Sequence, residues 1–323
     1  MGAGGANSCQ LRKRYRLHMW RDVSYPFGME FPRLPRFQRA SAVVPIEITD
    51  RDRLIFRLIH RHRFLRSSHL TALVGGSAQP LLRRLQLLYH HGYLERPRAQ
   101  LDYYLRGGSS PMVYGLGSKG GVLLKQELGS TYRPLRWSEK NRSVGRMFLE
   151  HALLISDVLV TLELACRKSG RVRLLIDDDL GSSPFVSRWK VTLDGKVRLG
   201  VVPDRVFALE ADGERAYFFL EADRGTMPVT RKNLAQTSFA RKLLAYEATW
   251  SQGIHRGFGF HRFRVLTVTG SESRVQSLVA ACAQLQRGHG LFLFAERAVL
   301  AHPDILFSPR WQSGRGESAS LLP

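Results

Sequence analysis

The stretch Val201–Thr226, VVPDRVFALEADGERAYFFLEADRGT, constrains this chain more than any other. Two apolar runs, Arg205–Glu210 and Ala216–Leu220, flank the turn signal Ala211-Asp212-Gly213-Glu214, which predicts a β-hairpin. Asp204 stands at the start of the first strand, and Glu221 and Asp223 at the end of the second, on one face by alternation. A register that sets Asp204 opposite the end of the second strand gathers three carboxylates at one mouth of a sheet. Such a cluster is unfavourable alone and is relieved by a divalent cation, a proton or a neighbouring base. The spacing by itself also suits strand-end carboxylates solvated at a loop.

Composition weighs on that choice. A formal charge of +22 and a pI near 10.7 argue for a polyanionic partner, nucleic acid first and an anionic membrane surface second. The longest apolar run, Ala152–Cys166, is interrupted by Asp157 and Glu163, so no bilayer-spanning segment is expected. The N-terminus lacks the apolar stretch of a signal peptide and has Ala6 where a myristoylation signal wants Ser or Thr. Cys9, Cys166 and Cys282 are too few and too scattered for a disulfide framework or a Cys-rich zinc site, which fits a reducing cytoplasm. Residues 51–140 carry 16 Lys and Arg against 5 Asp and Glu, the densest positive segment, so the polyanion is expected there first.

Residues 1–48, with Pro26, Pro32, Pro35 and Pro45 among scattered arginines, predict a basic flexible arm. From Thr49-Asp50-Arg51-Asp52, a helix start, to about residue 128, the pattern predicts three short helices followed by two strands. Ser67-Ser68 opens the second helix and Ser77 the third; Tyr93–Arg96 and Met112–Leu116 are the strands. The phrases HHGYLERP and VYGLGSKGG resemble the recognition-helix-to-wing passage of bacterial winged-helix proteins. On that arrangement Gln79, Arg83 and Arg84 face a major groove, where Gln reads adenine and Arg guanine edges. Arg96, Arg98 and Arg106 on the wing contact phosphates, and Lys119 and Lys125 add backbone contacts. A solvated helix face, or a winged helix used for protein contacts, would carry the same arginines. Gly115–Gly121 lacks the spacing of a phosphate loop and reads as the turn into a helix. His60, His62, His90 and His91 do not form a zinc set, and Tyr103, Tyr104 and Tyr114 lack the three-histidine cluster a relaxase nucleophile needs.

Residues 129–145 predict a linker in which Trp137 is an anchoring residue. Residues 146–168 form an apolar helix that should lie on a sheet, with Glu150 and His151 at its beginning. Val172–Ile176 is a strand, followed by an insertion with Trp189 and then the hairpin. Phe239–Trp250 and Ser271–Leu285 are helices, Phe263–Val268 and Leu291–Phe294 strands, and residues 309–323 a polar tail. The order from 146 to 308 is helix, three strands, helix, strand, helix, strand.

That order, with Pro203-Asp204 and Glu221-Ala222-Asp223, resembles the PD-(D/E)xK nuclease core. The resemblance implies Asp204 and Glu221 as ligands of Mg²⁺ or Mn²⁺, with the metal activating water at a phosphodiester. The last place of the triplet, usually Lys, is Asp223 here, expected as an auxiliary ligand or base; activity then needs a migrated cation, Lys242 first and Arg224, Arg241 or Lys232 behind it, or else the site is a relic. Residues 50–300 as a whole are similar to the replication-relaxation family of bacterial plasmids and integrative elements. This rests on Leu149-Glu150-His151, on Pro203–Phe207, on FLEADRGT at 219–226 and on RKLLAY at 241–246. The expected fold class is therefore α/β (α+β), a winged helix-turn-helix followed by a nuclease-like domain. The expected function is that of a cytoplasmic double-stranded-DNA-binding protein acting in plasmid or mobile-element replication, relaxation or mobilisation. Replication or transfer proteins are its expected partners, and a homodimer is left open. A Mg²⁺-dependent nicking nuclease and a winged-helix transcriptional regulator are the alternatives.

Overall fold

The computed structural model describes residues 34–41, 43, 45–101, 110–129, 137–180, 188–193, 195–233 and 235–323. The expected arm up to residue 33, Arg106, Tyr103 and Tyr104 lie outside the described residues. Helix α1 (Asp50–His62) begins at a capping box: the Asp52 N–H donates to Thr49 Oγ1 and the Thr49 N–H to Asp52 Oδ2. Its buried stripe of Ile55, Phe56, Leu58 and Ile59 meets α2 (Ser67–Val74) and α3 (Ala78–His90) in one core with Leu70, Leu81, Leu85 and Leu88. Strands β1 (Phe64–Arg66), β2 (Leu94–Glu95) and β3 (Val113–Leu116) form an antiparallel sheet in the order β1-β3-β2; the sequence pattern anticipates only the last two.

The glycine-rich phrase after β3 is the turn into helix α4 (Ser118–Leu128), as expected, and its glycines have a steric reason. A Cβ at Gly117 would lie 2.4 Å from the Gly92 carbonyl oxygen, and one at Gly120 would lie 2.5 Å from that of Tyr93. Only bare backbone fits where this turn crosses the end of α3.

Within the expected linker, residues 137–142 are instead helical, α5 (Trp137–Arg142); residues 130–136 and the Trp137 side chain lie outside the described residues. Fully buried Asn141 donates through Nδ2 to the Leu116 carbonyl at 2.8 Å, which ties the segment to β3. The long helix α6 (Arg146–Ser169) then packs two ways. Leu154, Val158, Leu159 and Leu162 lie on the main sheet, while Val160 and Leu164 join the core of α1–α3. The acids that interrupt its apolar run are bonded. Asp157 takes Arg66, His69 at 3.1 Å and Arg297 at 2.6 Å, and Glu163 takes Arg167. Residues 36–323 consequently form one compact unit.

Strand β4 (Val172–Ile176) and a separate hairpin, β5 (Trp189–Leu193) with β6 (Val197–Val201), precede the predicted hairpin of β7 (Arg205–Ala211) and β8 (Glu214–Ala222). Its two-residue turn has Asp212 at φ 51° and Gly213 at φ 82°, the left-handed pair of a type I′ turn. Helix α7 (Phe239–Ser251), β9 (Phe263–Thr269), α8 (Glu272–Cys282), β10 (Phe292–Glu296), β11 (Trp311–Ser313) and β12 (Ser318–Ala319) complete the chain. The main sheet runs β12-β11-β10-β9-β8-β7-β4, with β8, β9 and β10 parallel and the other neighbours antiparallel. Phe207, Phe218 and Leu220 face α6; Val206, Phe219 and Val265 face α7 and α8. The expected polar tail is corrected: β11 and β12 extend the sheet, and Trp311, Leu321 and Leu322 are core residues. No helix among the described residues is long and apolar enough to cross a membrane.

Candidate functional site

The β7–β8 register pairs Arg205 with Leu220, which sets Asp204 beside the C-terminal end of β8. The Asp204 N–H donates to the Leu220 carbonyl at 3.0 Å, and its Oδ2 accepts from the Ala222 N–H at 2.8 Å. From one face of the sheet, His151 in the second turn of α6 brings Nε2 to 3.0 Å from Asp204 Oδ1. From the other, α7 presents Lys242 and Tyr246, one turn apart, to Glu221: Lys242 Nζ donates to Oε2 and Tyr246 OH to Oε1 at 2.5 Å. Asp204, Glu221 and Lys242, singled out in the sequence, are thus brought together. Met147, His151, Glu221, Arg224, Phe239 and Lys242 line a cleft of about 320 Å³ above them.

Asp223 lies on the same face as Glu221 and lines the same cleft, but its carboxylate is held by a different set of donors. Arg274 of α8 grips it with Nε to Oδ2 at 2.8 Å and Nη2 to Oδ1 at 3.3 Å, Thr269 Oγ1 donates to Oδ2, and the Gly225 N–H to Oδ1. With both oxygens held by donors, Asp223 is a structural carboxylate here, which corrects the expected role as auxiliary ligand or base. Arg224 pairs with Glu150, which also holds Arg146 at 2.8 Å; Arg241 reaches the Ala235 carbonyl, away from the carboxylates.

Burial sets the electrostatics. Glu221, 2% exposed, is pushed up to about 7, chiefly by loss of water and further by the Asp204 charge, against the pull of Lys242 and Tyr246. Burial pulls Lys242 down, but Glu221 and Asp204 outweigh it and hold the ammonium above its usual value. The bond to Asp204 raises His151, and burial with the Glu221 charge raises Tyr246 well above the usual phenol. A divalent ion at this donor set would have to displace donors already in place. Each oxygen of Asp204 and Glu221 already accepts from a protein group, the Lys242 ammonium already supplies a positive charge, and no group of three ligating side chains exists among the described residues.

In the N-terminal region, Gln79 and Arg83 are exposed on α3, whose N-terminal end from Gly76 to Pro80 is bare, and Arg98, Lys119 and Lys125 are exposed nearby in sequence to the strands. Two expected contacts are corrected. Arg84 donates to Asp52 at 2.9 and 2.6 Å and to the Glu47 carbonyl, closing the N-cap of α1 instead of reaching outward. Arg96 is 5% exposed, stacked 4.3 Å over the Tyr89 ring and bonded to the Arg36 carbonyl at 2.6 Å and to Tyr114 OH at 3.1 Å, so it has no free face for a phosphate. Sequence reading missed the pairing of His151 with Asp204 and the cap of Tyr246 on Glu221. The i,i+4 spacing of Lys242 and Tyr246 was the available signal for the second. Arg274, 51 residues from Asp223, left no local signal.

Fold and site together define an α/β protein with a helical, basic N-terminal region and a mixed sheet that carries a buried carboxylate–lysine centre at the end of β8. The chain belongs to the replication-relaxation family, whose profile matches residues 56–260 and so spans Asp204, Glu221 and Lys242. That membership ties it to replication or relaxation of plasmid or mobile-element DNA. No curated protein and no solved structure matches the chain.

Proposed function

We propose that the protein binds double-stranded DNA of a plasmid or mobile element through α1–α3 and the β1-β3-β2 sheet, used as a winged helix, and acts there in replication or relaxation. The observation that carries this is the bare N-terminal end of α3, with Gln79 and Arg83 exposed on a chain of charge +22. A recognition helix meets base edges with its N-terminal residues, and phosphates draw the surrounding cations. The sheet domain is a nuclease-like scaffold whose Asp204–Glu221–Lys242 centre is closed by its own hydrogen bonds. The test is duplex binding by fluorescence anisotropy over a salt series. Arg83→Ala weakens binding and lowers the salt slope by about one, whereas Arg84→Ala lowers stability through the α1 cap and leaves the slope unchanged. Equal effects of the two on the slope would refute the orientation of α3.

A second reading, a metal-dependent nicking nuclease, is favoured by one observation: Lys242 delivers to Glu221 the cation that Asp223 cannot. Supercoiled plasmid incubated with the protein and Mg²⁺, Mn²⁺ or EDTA decides it. Metal-dependent nicking that disappears in an Asp204→Ala/Glu221→Ala variant establishes the nuclease; intact plasmid throughout leaves the scaffold.

A further inference from the structure

The first turn of α6 leaves two large apolar side chains in solvent, Met147 at 56% and Phe148 at 40% exposure. Both line the cleft that holds His151 and Lys242. Each is accompanied by a guanidinium. Arg63 lies 4.3 Å from the Phe148 ring centroid, and Arg224 donates to the Met147 carbonyl at 2.8 Å with Nη2 3.4 Å from Met147 Sδ. Arg63 is held in this place at some cost: its φ is 68°, a region non-glycine residues rarely occupy, and its Nε is buried with no partner. The turn has Gly145 as a cap without a side-chain bond and no acidic residue among its first positions, so its backbone N–H groups meet no carboxylate from within the turn. Asp223 and Arg224 also wall a second cleft, of about 410 Å³, into which Arg66 and Arg297 face.

An exposed aromatic backed by a cation, beside further cations and a helix N-terminus, is the chemistry that receives an unpaired nucleotide. The π-face takes a base and the positive groups take its flanking phosphates. In a duplex both base faces are already stacked, so Phe148 has nothing to gain from one. We propose that the mouth of this cleft binds an unpaired DNA strand, with a base on Phe148 against Arg63 and Met147 beside it, and the backbone running past Arg224 toward Lys242. This rests on the reading of DNA as the partner, but it places the strand on α6, apart from the duplex surface of α3.

The test uses the full chain with a fluorescein-labelled oligo-dT of roughly 12 nucleotides, followed by anisotropy, alongside a labelled duplex. Phe148→Ala is expected to weaken oligo-dT binding about tenfold, a typical loss for one stacked base, and Phe148→Tyr to restore it, with duplex affinity unchanged. Arg63→Gly, which suits the observed backbone, is expected to weaken oligo-dT binding without loss of thermal stability. No oligo-dT binding by the wild type, the same affinity in Phe148→Ala, or parallel losses for oligo-dT and duplex would each overturn the proposal. Failure of the duplex reading appears separately, as duplex affinity indifferent to Arg83→Ala.

Discussion

Lys242→Met probes the buried centre directly. In the wild type Glu221 titrates in the folded state near 7 against an ordinary 4.5, because burial disfavours its charge more than Lys242 and Tyr246 favour it. A carboxyl whose folded pKa is raised stabilises the fold below its unfolded pKa and loses that contribution as pH climbs through the folded one, here about 3 kcal/mol between pH 4.5 and 7. Removing the ammonium leaves Tyr246 as the remaining side-chain donor to Glu221. Stripping one partner from a buried ion pair costs about 3–5 kcal/mol, equivalent to moving the Glu221 pKa up by a further two units or more. At pH 5 Glu221 is protonated in both proteins, and the variant should lie within about 1 kcal/mol of the wild type. Above pH 7 the wild type has ionised and the variant has not, so the deficit grows by about 1.4 kcal/mol per pH unit, reaching close to 3 kcal/mol at pH 9. Urea titrations at pH 5, 7 and 9 and constant ionic strength read this directly, and in a Glu221→Gln background the same substitution should show no pH dependence. A deficit that is flat from pH 5 to 9, or that grows toward acid, would refute the account of the centre.

Two further substitutions test the packing around it. Asp157→Asn removes the anion shared by Arg66, His69 and Arg297; because Arg297 is half exposed, the expected loss is roughly 2–3 kcal/mol at pH 7, below that of a fully buried pair. Its hydrogen bond from His69 and the neighbouring arginine charges outweigh burial and hold Asp157 below the usual carboxylate range, so the loss is present above pH 3.8 and fades as pH falls through the folded value, which urea titrations at pH 7 and in acid would show. Gly117→Ala forces a methyl to within 2.4 Å of the Gly92 oxygen and 2.8 Å of the Tyr93 carbonyl carbon, both backbone, and should cost about 1–3 kcal/mol; Gly257→Ala, with nothing within 4 Å, is the neutral control in thermal unfolding.

What could be read from the sequence follows the range of the interaction. The β7–β8 hairpin announces itself through an adjacent Asp-Gly turn and two alternating runs, and its register alone carries Asp204 to the end of β8. Lys242 could be found because it lies on the next helix after Glu221. Arg274 could not, since nothing near Asp223 in the chain foretells which helix supplies its partner. The arginines of α3 show a finer limit. Arg83 and Arg84 are adjacent, and residues about 100° apart on a helix cannot both face one groove; which of them points outward is decided by Asp52, 32 residues away from Arg84. Strands β11 and β12, three and two residues long among Ser, Gly and Arg, are too short to carry a period, and they exist because Trp311, Leu321 and Leu322 find a core prepared by distant elements.

Helix α6 turns these separate pieces into one device. Its first two turns carry Phe148 and His151 to the cleft, its middle turns put Ser156, Asp157 and Glu163 onto α1, β1 and α2, and its apolar stripe holds the main sheet. Read as sequence, Asp157 and Glu163 are blemishes in an apolar run; in the fold they are the points at which the basic N-terminal region is fastened to the sheet. A ligand on α3 and a ligand at the cleft therefore sit on elements of one compact unit, spanned by α6 and with α5 tied to β3 through Asn141. The spacing between the two surfaces is set by the protein. On the proposed reading, a duplex bound at α3 and an unpaired strand at Phe148 must be offered at that fixed separation, which is the geometry of a duplex opened beside its recognition site.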